Sequence, residues 1–224
     1  MPGMQVRVRL FAGLRERAGA SELELELPEG AVVADALARM QPVTAGVPVV
    51  MAVNREYAGD EQTLCAGDEL ALIPPVSGGS LGDPHVQVSG GSPGDLHVRV
   101  TAEPLALDPL IARVRDPRAG AVVTFEGVTR EVAQLDYEAY AEMAQDKIAA
   151  IVRAAVLRHG LCRAAAEHRV GVVPLSEPSV VIAVSAPHRD QAFAGAREII
   201  DQIKAQAPIW KKEEGAWVHG VTPS

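Results

Sequence analysis

The stretch AGDELALIPPVSGG, Ala66 to Gly79, decides how this chain is divided. Glu69 to Ile73 reads as a β-strand, and Pro74-Pro75 stops it because proline has no N–H to give a ladder. What remains, Val76 to Gly79, is a tail with almost no side-chain bulk. A Gly-Gly end can thread a narrow channel and bring its carbonyl group to a buried centre without steric conflict. The same two residues before a linker are also what plain flexible chain looks like.

Working upstream, Val6, Val8 and Leu10 alternate with Arg7 and Arg9, and Leu23, Leu25 and Leu27 alternate with Glu22, Glu24 and Glu26. That period of two predicts two half-buried strands. Ala31 to Met40 places Val32, Val33, Ala36, Leu37 and Met40 at helical spacing, and a further strand is expected over Pro48 to Asn54. The order β, β, α, β, β predicts a small sheet crossed by one helix.

Downstream, Ser77 to Gly94 has the Gly, Ser and Pro content of a flexible linker. Within it SGGSLGDPHVQV (Ser77 to Val88) recurs as SGGSPGDLHVRV (Ser89 to Val100), a local duplication that lengthens the linker. Gly90-Gly91 is then a copy of Gly78-Gly79. In the second half, Asp108 is read as an N-cap and Pro109 as the first residue of a short helix ending near Arg115. Strands are expected at Ala121 to Glu126, Gln134 to Tyr140, Ala166 to Val173 and Val180 to Ser185. A long helix is expected from Ala141 to His159, with Gly160 as its terminator. A last helix covers Asp190 to Ala205, with Ala192, Phe193, Ala196, Ile199, Ile200 and Ile203 on one apolar stripe, and Pro208 forbids its continuation.

Bulk properties restrict the function. The 224 residues are 48% hydrophobic and 22% charged, enough apolar surface for one or two folded domains. The longest apolar runs, Val47 to Val53 and Val180 to Val184, fall far short of the roughly 20 residues that cross a bilayer, and no secretory signal is apparent, so a cytoplasmic location is expected. Cys65 and Cys162 lack CxxC or Cys/His neighbours, so neither a disulfide framework nor a metal site is expected. The formal charge of −8 argues against a nucleic-acid surface. Residues 1–79 carry six Arg and eleven acids, hence −5, whereas residues 95–224 carry fifteen Lys or Arg and seventeen acids, hence −2. The acidic first half suits a basic patch on a partner or on the second half; it equally suits simple solubility.

With LFAGLRERAG (Leu10 to Gly19), AVNRE (Ala52 to Glu56) and the PPVSGG ending, residues 4 to 79 resemble the small subunit of molybdopterin synthase. GAVVTFEGVTR (Gly120 to Arg130), LDYEAYAEMA (Leu135 to Ala144), SAPHRDQAF (Ser185 to Phe193) and KAQAPIWKKE (Lys204 to Glu213) together resemble its large, catalytic subunit. The resemblance implies an α+β protein. Its expected parts are an N-terminal β-grasp, ubiquitin-like domain over 1–79, a flexible linker over 80–96, and over 97–224 the α/β hammerhead-type domain of the large subunit.

It also implies the chemistry. The terminal glycine of the small subunit is adenylated and converted to a thiocarboxylate, so Gly78 and Gly79 would form the sulfur carrier, loaded by an adenylating and sulfurating enzyme. The large subunit uses that sulfur twice on cyclic pyranopterin monophosphate to build the dithiolene of molybdopterin, with no tightly bound cofactor expected. Carried over residue by residue, Lys204 and Lys211 match the catalytic lysines, while Arg130, His188, Arg189, Lys211, Lys212 and Glu213 match substrate-binding positions. A thiocarboxylate carrier needs no reactive thiol, which fits the scarcity of cysteine.

These residue types suit the task. An anionic substrate wants Arg or Lys donors, and a lysine beside an apolar helix face and other cations can serve as acid, base or nucleophile. Each also has a plainer reading: Lys204 complementing its helix end, His188 a surface histidine, Lys212 a solvated neighbour of Lys211, and Trp210 and Trp217 packing anchors. The loop after Arg130 is short, since only Glu131 to Gln134 separate it from the LDYEAY strand. Because the start and end of a helix from His188 to Lys204 lie roughly 24 Å apart at 1.5 Å per residue, a substrate touching both implies a homodimer with shared pockets. A different reading is a sulfur carrier for thiamine or RNA thiolation fused to a docking module.

Overall fold

The computed structural model describes residues 3–76 and 96–218, and the chain forms two compact units, Met1–Pro75 and Val76–Ser224. The linker, Gly78, Gly79 and Gly90-Gly91 lie outside the described residues.

The first unit runs β1 (Gly3–Leu10), α1 (Ala12–Ala18), β2 (Glu22–Pro28), α2 (Val33–Thr44), β3 (Val50–Val53), β4 (Glu56–Ala58) and β5 (Glu69–Ile73). The sheet order is β2-β1-β5-β3-β4. The central pair, β1 and β5, is parallel, and each is flanked by an antiparallel neighbour. With α2 packed across it, this is the ubiquitin-like β-grasp arrangement. The expected alternation holds in β1, where Met4, Val6, Val8 and Leu10 are buried against Leu27, Val33, Ala36, Met40, Leu70 and Leu72. On the other face Arg7 lies opposite Glu24 and Arg9 opposite Glu22, pairs of opposite sign that favour this register.

Three features depart from the expectation. α1 is a second, seven-residue helix, too short to leave a periodic signal, ended by Gly19 in the left-handed region at φ 69°. α2 starts at Val33 rather than Ala31 and continues to Thr44, with Pro42 in its last turn. The Asp35 carboxylate accepts a hydrogen bond from the Val32 N–H at 2.9 Å, satisfying one free donor at its start. Finally, Asn54 and Arg55 both have positive φ, 50° and 73°, which closes a two-residue hairpin into the short β4.

The second unit runs β6 (His97–Thr101), α3 (Leu107–Val114), β7 (Ala121–Val128), β8 (Gln134–Ala139), α4 (Ala141–His159), β9 (Arg163–Arg169), β10 (Gly171–Pro174), β11 (Pro178–Ala186), α5 (Arg189–Gln206), β12 (Ile209–Glu213) and β13 (Ala216–Val218). It holds two four-stranded sheets, ordered β6-β9-β11-β7 and β10-β8-β12-β13. β11 shows why the first sheet is buried on both faces. Val180, Ile182, Val184 and Ala186 pack in the cluster with α4 and α5, while the alternate Val181 and Ala183 pack with Leu110 and Val114 of α3.

α4 has the expected bounds, with Gly160 in the left-handed region at φ 61°. Elsewhere the expectation is corrected. The segment read as one strand, Ala166 to Val173, is two strands in different sheets, broken where Gly171 adopts φ 77°. α3 begins at Leu107 after Ala106, so Asp108 and Pro109 sit inside its first turn and Asp108 is not the cap. Phe193, placed on the buried stripe of α5, is 63% exposed. β6, the end of the duplicated segment, pairs in parallel with β9, and β12 and β13 form a hairpin that the periodicity did not mark. Among the described residues no helix is long and apolar enough to cross a membrane.

Candidate active site

A cavity of about 600 Å³ opens in the second unit where the C-terminal half of α5 meets the second sheet. Period and register decide which side chains reach it. On α5, Ile200 and Lys204 are four residues apart and so share a face; both line the cavity with Ile203. On β12, Lys211 and Glu213 are two apart and line it together, whereas the intervening Lys212 belongs to the other side of the strand. Lys211 is in register with Tyr137 of β8 on one side and Val218 of β13 on the other, which lays these three side by side on one sheet face.

Arg130 arrives through the short loop after β7. The buried Thr129 fixes that loop, its N–H donating to the Glu177 carbonyl at 3.1 Å and its carbonyl accepting from the Ser176 N–H at 2.8 Å. Glu131 follows at φ 67°, turning the chain so that both Arg130 and Glu131 line the cavity. The short loop therefore leaves Arg130 with Lys204 and Lys211. Lys204 and Arg130 are exposed, and no hydrogen bond or ion pair among the described residues engages either side chain.

Two of the expected residues, His188 and Arg189, stand elsewhere, at the opposite end of α5. The His188 N–H donates to the Gln191 Oε1 at 3.2 Å, closing the helix start, and exposed Arg189 lies 3.8 Å from Asp190. Lys212 also lies outside the cavity. Its ammonium stands 5.2 Å from the Trp217 ring centroid, a cation–π contact on the outer face of the hairpin. Trp210 is 2% exposed and packs as an anchor.

The sequence reading missed His168, on β9, at the cavity wall. Its Nδ1 stands 2.8 Å from the Arg169 carbonyl oxygen, and its ring meets Tyr137 edge to face, centroids 5.3 Å apart. Burial, with a smaller contribution from the positive charge of Lys204, pushes its pKa down to about 4. Burial also raises the Tyr137 phenol. The nearby Glu167 is driven up by burial but held lower overall by hydrogen bonds from Arg99 and His97, both at 2.6 Å. Among the described residues, no group of three or more His, Cys, Asp or Glu side chains is placed to hold a metal ion.

A stability prediction follows from His168. Between pH 6.5 and about 4 the unfolded chain binds a proton there that the folded chain refuses, so acidification through this window destabilises the fold. The loss by pH 4.5 is on the order of 2 kcal/mol. In urea melts the His168→Gln variant should lose correspondingly less stability between pH 7 and 4.5 than the unaltered chain; equal losses would contradict a neutral buried imidazole.

The sequence and the fold are similar to those of known proteins. The MoaE protein family model matches residues 100–206, and the ThiS family model matches residues 8–79. The molybdopterin synthase catalytic subunit of Thermoplasma volcanium is 48% identical over 119 residues, covering 48% of this chain and 87% of that protein. That of Oryza sativa subsp. indica is 50% identical over 109 residues, covering 46% of this chain and 56% of the rice protein, so the chain spans little more than half the length of that relative. Among solved structures, molybdopterin cofactor biosynthesis protein E from Burkholderia multivorans is 35% identical with a TM-score of 0.50, covering 55% of this chain and 87% of that one. On this similarity, and with a ThiS-family region ahead of it in the same polypeptide, the chain belongs to the family of molybdopterin synthase catalytic subunits.

Proposed function

We propose that this chain is a molybdopterin synthase carrying both working parts, in which a thiocarboxylate on Gly79 delivers sulfur to cyclic pyranopterin monophosphate in the cavity of the second unit. The observation that carries this reading is the convergence of Arg130, Lys204, Lys211 and Glu213 on one cavity in a chain whose other unit is a β-grasp leading to Pro-Pro-Val-Ser-Gly-Gly. Three cations around one space suit a phosphate-bearing, anionic substrate. In this scheme Lys211 and Arg130 hold the substrate, Glu213 offsets part of their charge, and Lys204 handles the proton or the transient covalent bond of the transfer step. In each of the two transfers the thiocarboxylate sulfur bonds a side-chain carbon of the pterin as that carbon's bond to oxygen breaks, the oxygen leaving protonated as water or with the phosphate. Water then cleaves the sulfur–acyl bond to leave sulfur on the pterin and a carboxylate on Gly79. An adenylating and sulfurating enzyme is the partner required to reload it.

The substrate-binding test is direct. Titration of the full chain with cyclic pyranopterin monophosphate should show binding that weakens at least tenfold in a Lys211→Ala, Arg130→Ala double variant, the order expected for losing two charge-assisted contacts. Undiminished binding would place the substrate elsewhere.

His188 and Arg189 cannot reach the same ligand as Lys204 within one chain, because Lys204 follows His188 by 16 positions, roughly 24 Å along the helix at 1.5 Å per residue. We therefore assign the functional form as a homodimer in which the α5 start of one subunit completes the cavity of the other. Mixing Arg189→Ala protein with Lys204→Ala protein should restore part of the activity, since one site per mixed dimer is intact. No recovery, with subunit exchange verified by mass, would assign His188 and Arg189 to another task. The ThiS-family match also admits a carrier for thiamine or RNA thiolation. Substrate binding in the Lys204 cavity favours the synthase, and its absence would favour the carrier.

A further inference from the structure

Lys204, Lys211 and Arg130 are cationic donors suited to a phosphate, and Glu213 and Glu131 are anionic acceptors that offset their charge, so none of the five is a neutral acceptor. Tyr137 and Ser179 are occupied with each other, and Ser179 Oγ also donates to the Gly127 carbonyl at 3.1 Å. His168 differs from all of these. The Arg169 carbonyl can only accept, so the 2.8 Å contact puts the proton on Nδ1 and leaves Nε2 with a lone pair. Among the described residues no hydrogen bond engages Nε2, although the residue is 7% exposed and lines the cavity. The edge-to-face contact with Tyr137 fixes the ring plane, and the β9 pairing of His168 with Val180 and Val100 fixes its backbone.

We propose that His168 is a specificity-determining residue whose Nε2 accepts a hydrogen bond from a ring N–H of the pterin, so that the cations select the phosphate and His168 selects the heterocycle. This rests on the substrate reading given above. A phosphate offers oxygens, which an imidazole lone pair repels, whereas a reduced pterin presents several N–H donors. Burial and the charge of Lys204 both keep the imidazole neutral, and thus an acceptor, throughout the physiological pH range.

The test compares the full-length chain with His168→Gln, whose Oε1 retains an acceptor at similar reach, and His168→Leu, which removes it. His168→Phe serves as a second apolar replacement that fills the ring's volume. Calorimetric titration uses cyclic pyranopterin monophosphate and, as a ligand with phosphate but no ring N–H, glycerol 2-phosphate at high concentration. The expected result is a loss of about tenfold or more in pterin affinity for the Leu and Phe variants. The Gln variant should stay within about threefold of the unaltered chain, and glycerol 2-phosphate binding should be the same in all four proteins. Pterin affinity within about threefold in the Leu and Phe variants would overturn the assignment. So would an equal loss in Gln, Leu and Phe, which would reduce His168 to a packing role. If the unaltered chain bound glycerol 2-phosphate but no pterin, the substrate reading itself would fall, and this inference with it.

Discussion

Replacing Lys204 by alanine should slow single-turnover sulfur transfer by about a hundredfold or more, the scale on which a positioned acid or base contributes. The fold should barely notice. Lys204 is exposed near the end of α5, and no hydrogen bond or ion pair among the described residues depends on its side chain. Surface changes of that kind usually stay within about 0.5 kcal/mol. Its ammonium does bear on His168, whose low pKa it helps to maintain, so the two groups share one electrostatic environment at the cavity wall. A rate within threefold of the unaltered chain, measured with thiocarboxylated carrier, would remove Lys204 from the chemistry. A large rise in KM with kcat unchanged would instead make it a binding residue like Lys211.

A second large effect is expected at the junction of the two units. The carbonyl carbon of Gly79 is tied in a peptide bond to Ser80, and an amide offers no free carboxylate to adenylate. We therefore propose that the chain is cut after Gly79 before sulfur is loaded. A variant that resists cleavage between Gly79 and Ser80 should make no molybdopterin above background. Adding a separately produced fragment of residues 1–79 should restore activity, since the first unit is compact by itself. Gly91 is the weaker candidate, because Gly79 is the one that follows the Pro-Pro stop after β5. An uncleavable chain that still loaded sulfur and turned over would refute the requirement.

The sequence and the structure agree where one physical signal dominates. α4 was legible because a long helix meets Gly160, whose left-handed conformation ends it. β1, β2 and β11 were legible because their faces are buried in period two or throughout. The failures occur where tertiary pairing outweighs local pattern. Nothing within IWKKEEGAWV says that it forms a hairpin; β12 is held by its register with β8, from Ile209 opposite Ala139 to Glu213 opposite Leu135. That register also separates Lys211 from Lys212, two adjacent lysines that composition cannot tell apart. Likewise His168 reads as the middle of a polar run, Glu167 to Arg169, that closes a strand of small residues, and only the meeting of β9 with Tyr137 of β8 makes it part of a cavity. The HVRV of β6 was hidden by its likeness to a linker repeat, although it pairs along its whole length with β9.

We propose that sulfur carried on Gly79 enters the pterin at the Lys204 cavity. This transfer is tested most directly by loading a residue 1–79 fragment with a heavy sulfur isotope as the Gly79 thiocarboxylate. The loaded fragment is then mixed with residues 80–224 and cyclic pyranopterin monophosphate, and the product is weighed by mass spectrometry. The expected result is molybdopterin with both dithiolene sulfurs labelled and the fragment returned with a Gly79 carboxylate. Label that stays on the fragment, or a product formed equally well when residues 80–224 carry Lys204→Ala, would contradict it.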